Sequence, residues 1–393
     1  MTMQTGISRI PSRLRRVTSS GNFIPEIDGL RFFAIALVVL LHTVKLYELD
    51  SGTDLSGNLP ADIALHGGVG VRLFFVISGF ILVLPFARHF LEGGRPVSLK
   101  KYYLRRLTRL EPPYVIALTM WLMVAALAKH KPLLESLPHY FSGITYSHFF
   151  FYLRPNDLFF ASWSLEVEAQ FYVLAPFLAY IFAVENRLAR RLAMVSAIFA
   201  FSLLQLFLSG RARELLWFTL PAQLPLFLTG FLLAEIYIAW GPRASRGRNL
   251  YFDAVASAAF LCILLLFKFN LNQCWDMLAL AALVFLFYLS CFNGVCWNAV
   301  VTNKWIVATG GMCYSIYLFH RAVLYFFRGP VFSRMRLPGP PCIGATIQIC
   351  LMLLATAVCG AAIFLAVEKP FMRRDWHLSL FNRVKQACLA QAD

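Results

Sequence analysis

The chain has 393 residues, 59% of them hydrophobic and 14% charged, and its mean hydropathy is +0.65. That excludes a soluble domain of ordinary composition and leaves a polytopic membrane protein. The net charge of +16 falls in basic residues set between apolar runs, so membrane topology accounts for it and no nucleic-acid partner is expected.

Residues 1–23 are polar and basic, with Arg9, Arg13, Arg15 and Arg16. The apolar run that follows is a full span without a small-residue cleavage signature, which reads as a retained signal anchor. Stretches of membrane length predict an all-α fold with about ten transmembrane helices, at 28–47, 69–88, 112–129, 164–184, 191–208, 217–239, 252–269, 276–292, 305–327 and 343–367. The expected organisation is a basic segment over 1–27, a transmembrane domain over 28–370 and a tail over 371–393. Lys and Arg number 23 in the loops on the side of the N-terminus and 8 on the other side, which puts both termini in the cytoplasm. The nine cysteines are odd in number, lie in the last third of the chain and lack CxxC spacing, so they read as small buried hydrophobes with neither a disulfide framework nor a metal site.

The first stretch with chemistry in it is Glu26-Ile27-Asp28-Gly29-Leu30-Arg31, which runs directly into the first apolar span and on to His42. Eleven residues at helical pitch return almost to the starting direction, so Arg31 and His42 share a face, roughly 16 Å apart along the axis. One reading is an interfacial anchor and a histidine that bonds a neighbouring helix. The other is a cation that holds an anionic donor while the histidine meets its reactive end, and the shared face favours this second reading. Further on, Ser78 and Gly79 read as packing residues, because neither a base nor an oxyanion pocket for a serine nucleophile is legible beside them.

Arg105, Arg106 and Arg109 are either the positive-inside signal alone or guanidiniums held at the foot of the third helix by Pro112-Pro113-Tyr114, where they suit phosphate oxygens bidentately. The loop 129–163, with His139, His148, Arg154, Asn156 and Asp157, is the expected place for specificity. In Ser162-Trp163-Ser164-Leu165-Glu166-Val167-Glu168, Glu166 reads as facing water at a helix start, while Glu168 lies deeper and calls for a histidine or arginine partner. Tyr314, Tyr317 and His320 form a polar stripe, either a structural seam or a direct participant. The predicted orientation places His42, Glu168 and His320 in the outer half and Arg31 with the basic run 100–109 at the cytoplasmic face. Polar groups on several helices also describe the pathway of a transporter or flippase for a glycolipid or sugar, the competing class.

Taken together the motifs resemble the acyltransferase-3 family of integral membrane acyltransferases, which includes O-acetyltransferases of bacterial surface polysaccharides. The matching residues are the acidic-Gly-Leu-Arg opening with histidine eleven after the arginine, Phe74-Phe75-Val76-Ile77-Ser78-Gly79-Phe80, Arg105-Arg106 with Arg109, Pro112 and Tyr114, Trp163-Ser164-Leu165 with Glu168 and Gln170-Phe171-Tyr172, Tyr314-Ser315-Ile316-Tyr317-Leu318 with His320, and Val367-Glu368-Lys369-Pro370-Phe371. They run in family order along nearly the whole chain. The resemblance implies transfer of an acyl group, often acetyl, from acyl-CoA such as acetyl-CoA in the cytoplasm to a hydroxyl of a glycan, a lipid-linked sugar or another acceptor. It also implies residence among the lipids of a bacterial cytoplasmic (inner) membrane, and no metal. Arg31 and His42 match the family's essential pair. On this footing His42, Glu168 and His320 are the catalytic candidates, with His42 as general base and Glu168 setting its tautomer, or His42 as a covalent acyl relay. Arg31, Arg105, Arg106 and Arg109 are the candidates for holding the donor's phosphates. Two residues depart from the pattern: Arg72 stands where many members carry an acid, and Ala169 where many carry a second glutamate. An extracellular hydrolase-like domain, appended in some members, is not expected.

Overall fold

The computed structural model describes residues 11–16, 23–128, 130–240, 247–269, 273–333, 335 and 341–372. The expected tail beyond 372, positions 1–10 and 17–22 of the basic segment, and the stretch 241–246 lie outside the described residues. Every regular element among the described residues is helical. In chain order these are α1 Pro25–Ser51, α2 Leu59–Leu65, α3 Val69–Glu92, α4 Leu99–Leu127, α5 Leu133–Ile144, α6 His148–Tyr152, α7 Ser162–Leu178 and α8 Arg187–Leu203. They continue as α9 Gly210–Leu216, α10 Leu220–Ala239, α11 Leu250–Leu265, α12 Gln273–Asn293, α13 Cys296–Val301, α14 Lys304–Gly311, α15 Cys313–Arg328 and α16 Pro341–Ile363.

Among the described residues, eight helices are long and apolar enough to cross a bilayer, those beginning at Pro25, Val69, Leu99, Ser162, Leu220, Leu250, Cys274 and Ile343. The other two expected spans take different forms. The span at 191–208 is a 17-residue helix, α8, continued by the 3-10 turn Leu204–Phe207. That at 305–327 is two helices, because Met312 leaves helical geometry (φ −92°, ψ 6°) directly after Gly310-Gly311, where glycine is a poor helix former. The third span starts earlier than its apolar run: α4 begins at Leu99, so the arginines of 105–109 are part of the same helix instead of preceding it.

α1 lies in the middle of the site-bearing helices, and glycine is what lets its neighbours reach it. A Cβ on Gly310 would run into the Asp28 carbonyl oxygen, one on Gly29 into that of Val301, and one on Gly70 into that of Ala34. α3 and α10 interlock in the same way, Gly79 against the Phe227 carbonyl and Gly230 against that of Val76. The Phe171 ring of α7 stacks on Phe227 at 3.9 Å and fixes α7 against this pair. Gly79 is thus the packing residue its sequence context predicts. Replacing it by valine forces α3 and α10 apart, and a loss of several kcal/mol is expected, read as a fall in thermal stability in detergent. Gly247→Val, where a Cβ meets open space, should leave stability unchanged in the same measurement.

Glu166 does not face water. It is buried, and its carboxylate accepts the Phe149 N–H at 2.9 Å, tying the short α6 to the start of α7. The reason is tertiary: the α5–α6 segment folds over the end of α7 and presents an orphan N–H there.

Candidate active site

One open cleft, of about 760 Å³ counted out to its mouth, lies among α1, α3, α4, α7 and α15. Arg31, Arg106 and Arg109 reach it from two helices, Glu168 and Tyr172 from α7, Ser78 from α3, and Tyr314 and Tyr317 from α15. Phe74, Phe75, Ile81 and Leu82 make its apolar wall. A site of this size with a few convergent polar groups is the usual form of a small-molecule pocket.

The three guanidiniums differ in what holds them. Arg31 pairs with Asp28 one turn earlier at 2.6 Å. Arg109 faces Glu368 at 3.9 Å, and the other oxygen of Glu368 accepts the Ser315 N–H at 3.1 Å and its hydroxyl at 2.6 Å. Arg106 instead lies near aromatic faces, 5.9 Å from the Tyr102 ring and 5.8 Å from that of Tyr172, with no carboxylate within 4.0 Å among the described residues. Pro112 and Pro113 supply no N–H to the carbonyls one turn back, which loosens α4 beside its arginines. Arg105 is exposed and does not line the cleft, so the expected set of four loses one member.

Glu168 is not the partner of His42. Its carboxylate accepts the Ser78 hydroxyl at 2.5 Å, which makes Ser78 a polar member of the cleft and not only a packing residue. The His42 Nδ1 contacts the Val38 carbonyl at 2.8 Å, and the His320 Nδ1 contacts the carbonyls of Tyr317 at 2.7 Å and Ile316 at 3.1 Å. Carbonyl oxygens only accept, so Nδ1 carries the proton in both neutral rings and each Nε2 keeps a lone pair. The Nε2 of His320 turns its lone pair toward the His42 Nδ1 at 3.4 Å, with ring centroids 4.9 Å apart. The His42 Nε2 has no hydrogen-bond partner among the described residues, which leaves it able to take a proton.

The histidine pair does not line the cleft. Between them stands Tyr317, which lines the cleft, lies 6.1 Å from the His320 ring, and shares a 2.5 Å hydrogen bond with Ser164 while donating to the Ala161 carbonyl at 3.0 Å. Tyr314, by contrast, donates to the Leu110 carbonyl at 2.8 Å, so the stripe on α15 ties together α4, α7 and the histidine pair.

The α5–α6 segment holds a second pair, His139 Nδ1 to His148 Nε2 at 2.9 Å, with the Tyr152 ring against both imidazoles. Asn156 donates to the His139 carbonyl at 2.8 Å, and Arg154 and Asp157 pair with each other at 3.2 Å. Burial and the neighbouring His139 push the His148 imidazole from its ordinary 6.5 down to about 4. A depressed histidine pKa means the unfolded segment binds the extra proton first, so its stability is full above about 6.5 and is lost as pH falls toward about 4. Amide protection in 133–152, taken relative to the intrinsic exchange rate at each pH, should therefore fall across that window, and His148→Phe should remove the fall.

Two residues that the sequence motifs contain without an assigned role carry signals of their own. An acid inside an apolar run marks Glu368, and Asp28 stands one turn before Arg31. Arg72, one of the two departures, carries its own acid: it pairs with Asp276 at 2.8 Å and lies over the Trp217 ring at 4.2 Å, outside the cleft lining.

A helical integral membrane protein with a basic cleft and a histidine pair beyond it is the class that fold and site define. The chain belongs to the acyltransferase 3 family, whose acyltransferase domain matches residues 24–365. The O-acetyltransferase OatA of Staphylococcus aureus, from strain NCTC 8325 / PS 47, is 23% identical over 336 residues, 78% of this chain and 51% of that protein. OatA of strain COL matches to the same extent. The chain spans about half the length of these curated relatives. No solved structure matches it.

Proposed function

We propose that this chain is a membrane O-acyltransferase that moves an acyl group, acetyl in the first instance, from acyl-CoA at the cytoplasmic face to a hydroxyl of a glycan or lipid-linked sugar. The observation that carries the reading is the convergence of Arg31, Arg106 and Arg109 on one cleft, with a histidine of free Nε2 farther along α1. The arginines hold the donor's phosphates, and the pantetheine arm follows the apolar wall along α1. The His42 Nε2 takes the acceptor's hydroxyl proton as the oxygen attacks the thioester carbonyl. The C–S bond breaks, the acyl group stays on oxygen, and the CoA thiolate leaves and takes the proton from His42, which restores the base. His320 holds His42 in place and polarises it. Glu168, bonded to Ser78, lies on the donor side and balances the cleft's positive charge.

In the membrane the reading takes ten crossings, counting α8 with its 3-10 turn and α14 with α15, and both termini in the cytoplasm of a bacterial inner membrane, as the basic loops support. The experiment is an assay of purified protein in vesicles with labelled acetyl-CoA and surface-glycan acceptors. Coupled CoA release and acceptor acylation is the expected result. Movement of the acceptor without covalent change would replace the reading with transport.

A further inference from the structure

Arg16 falls in the basic segment that sequence reading assigns to topology, yet its side chain is only 9% exposed. Its Nε bonds one oxygen of Asp28 at 2.9 Å while Arg31 bonds the other at 2.6 Å. The segment is anchored just before this contact: Leu14 is buried in the cluster around Met312 and Phe364, and the Lys369 ammonium donates to the Arg13 carbonyl. One carboxylate thus serves two guanidiniums, and the triad keeps a net positive charge in a largely buried place. Such a charge is costly unless an anion completes it. Arg31, the member that lines the cleft, is where that anion would sit.

We propose that Arg16 is a positioning residue of the donor site. By occupying one oxygen of Asp28 it prevents Asp28 from closing a two-toothed pair on Arg31, and so leaves Arg31 charge and N–H groups for a phosphate of the acyl-CoA. Without Arg16, Asp28 turns fully onto Arg31 and withdraws it from the donor. The proposal rests on the donor-site reading above and adds the N-terminal segment to that site.

The test is steady-state kinetics with acetyl-CoA on the full chain in vesicles, with thermal stability measured alongside. Arg16→Ala should raise KM for acetyl-CoA about tenfold, the loss of one charge-assisted hydrogen bond, with kcat within about twofold. Arg16→Lys should recover part of the loss, because it keeps the charge and gives up the fork. If the alanine variant does not accumulate, Arg16→Gln carries the same expectation. Arg15→Ala, whose guanidinium stacks on Phe23 at 3.8 Å, should be silent. An unchanged KM, or a loss of stability and kcat at constant KM, would make Arg16 a brace and overturn the proposal. Arg106→Ala separates the two levels. A raised KM there with none in Arg16→Ala overturns the proposal alone, and an unchanged KM in both overturns the donor site and the proposal with it.

Discussion

Replacing His42 with alanine should abolish acyl transfer while the protein remains folded in the membrane. A positioned general base contributes about 10² to 10⁴ in rate, so the residual activity falls to the edge of detection. The structural cost is small. His42 is half-buried, its Nδ1 bond goes to the Val38 carbonyl of its own helix, and its other close contact is the 3.4 Å approach of His320. Glutamine at this position should also fail, since an amide cannot accept a full proton. Acyl transfer assayed in vesicles with matched protein levels checks this, and wild-type rates in His42→Ala would remove the base from the mechanism. Mass analysis of protein incubated with acetyl-CoA and no acceptor adds the second arm: an acyl group found on His42 would replace direct transfer with a relay.

The second large effect is expected at Arg106. It is the cleft arginine without a close carboxylate among the described residues, so its charge is the least compensated of the three. Removing it should raise KM for acetyl-CoA by about ten- to a hundredfold, with a smaller change in kcat, because phosphate contacts far from the reacting carbonyl act on ground state and transition state alike. Arg105→Ala, exposed and outside the cleft, is the matched control and should behave as wild type. Direct binding of labelled CoA, with its salt dependence, checks the pair of variants. Equal affinities for both would return the arginines to a purely topological role.

Much of the architecture was legible because hydropathy writes it plainly. Apolar runs locate the long helices, and helical arithmetic puts Arg31 and His42 on one face. What was not legible depended on contacts between distant segments. Nothing local to Ser78 reveals Glu168, ninety residues on, and nothing local to His42 reveals His320, 278 residues away. A buried acid calls for a histidine or arginine partner, and what Glu168 meets is the Ser78 hydroxyl. The break at Met312 follows from Gly310-Gly311, a visible signal, but the apolar run through it outweighed two weak helix formers. Arg105, Arg106 and Arg109 read alike in the sequence, whereas only Arg106 and Arg109 of the three face the cleft.

The Ser164–Tyr317 bridge sets a condition on leakage. Any protein that offers a path from a cytoplasmic donor to an acceptor on the far side also offers a path for protons, and a bacterial membrane stores energy as a proton gradient. With Tyr317 bonded to Ser164 and to the Ala161 carbonyl, the basic cleft is a dead end below the histidine pair. Under the acyl-transfer reading proposed above, a thioester reaches His42 only by displacing this phenol, and its own chain then fills the gap.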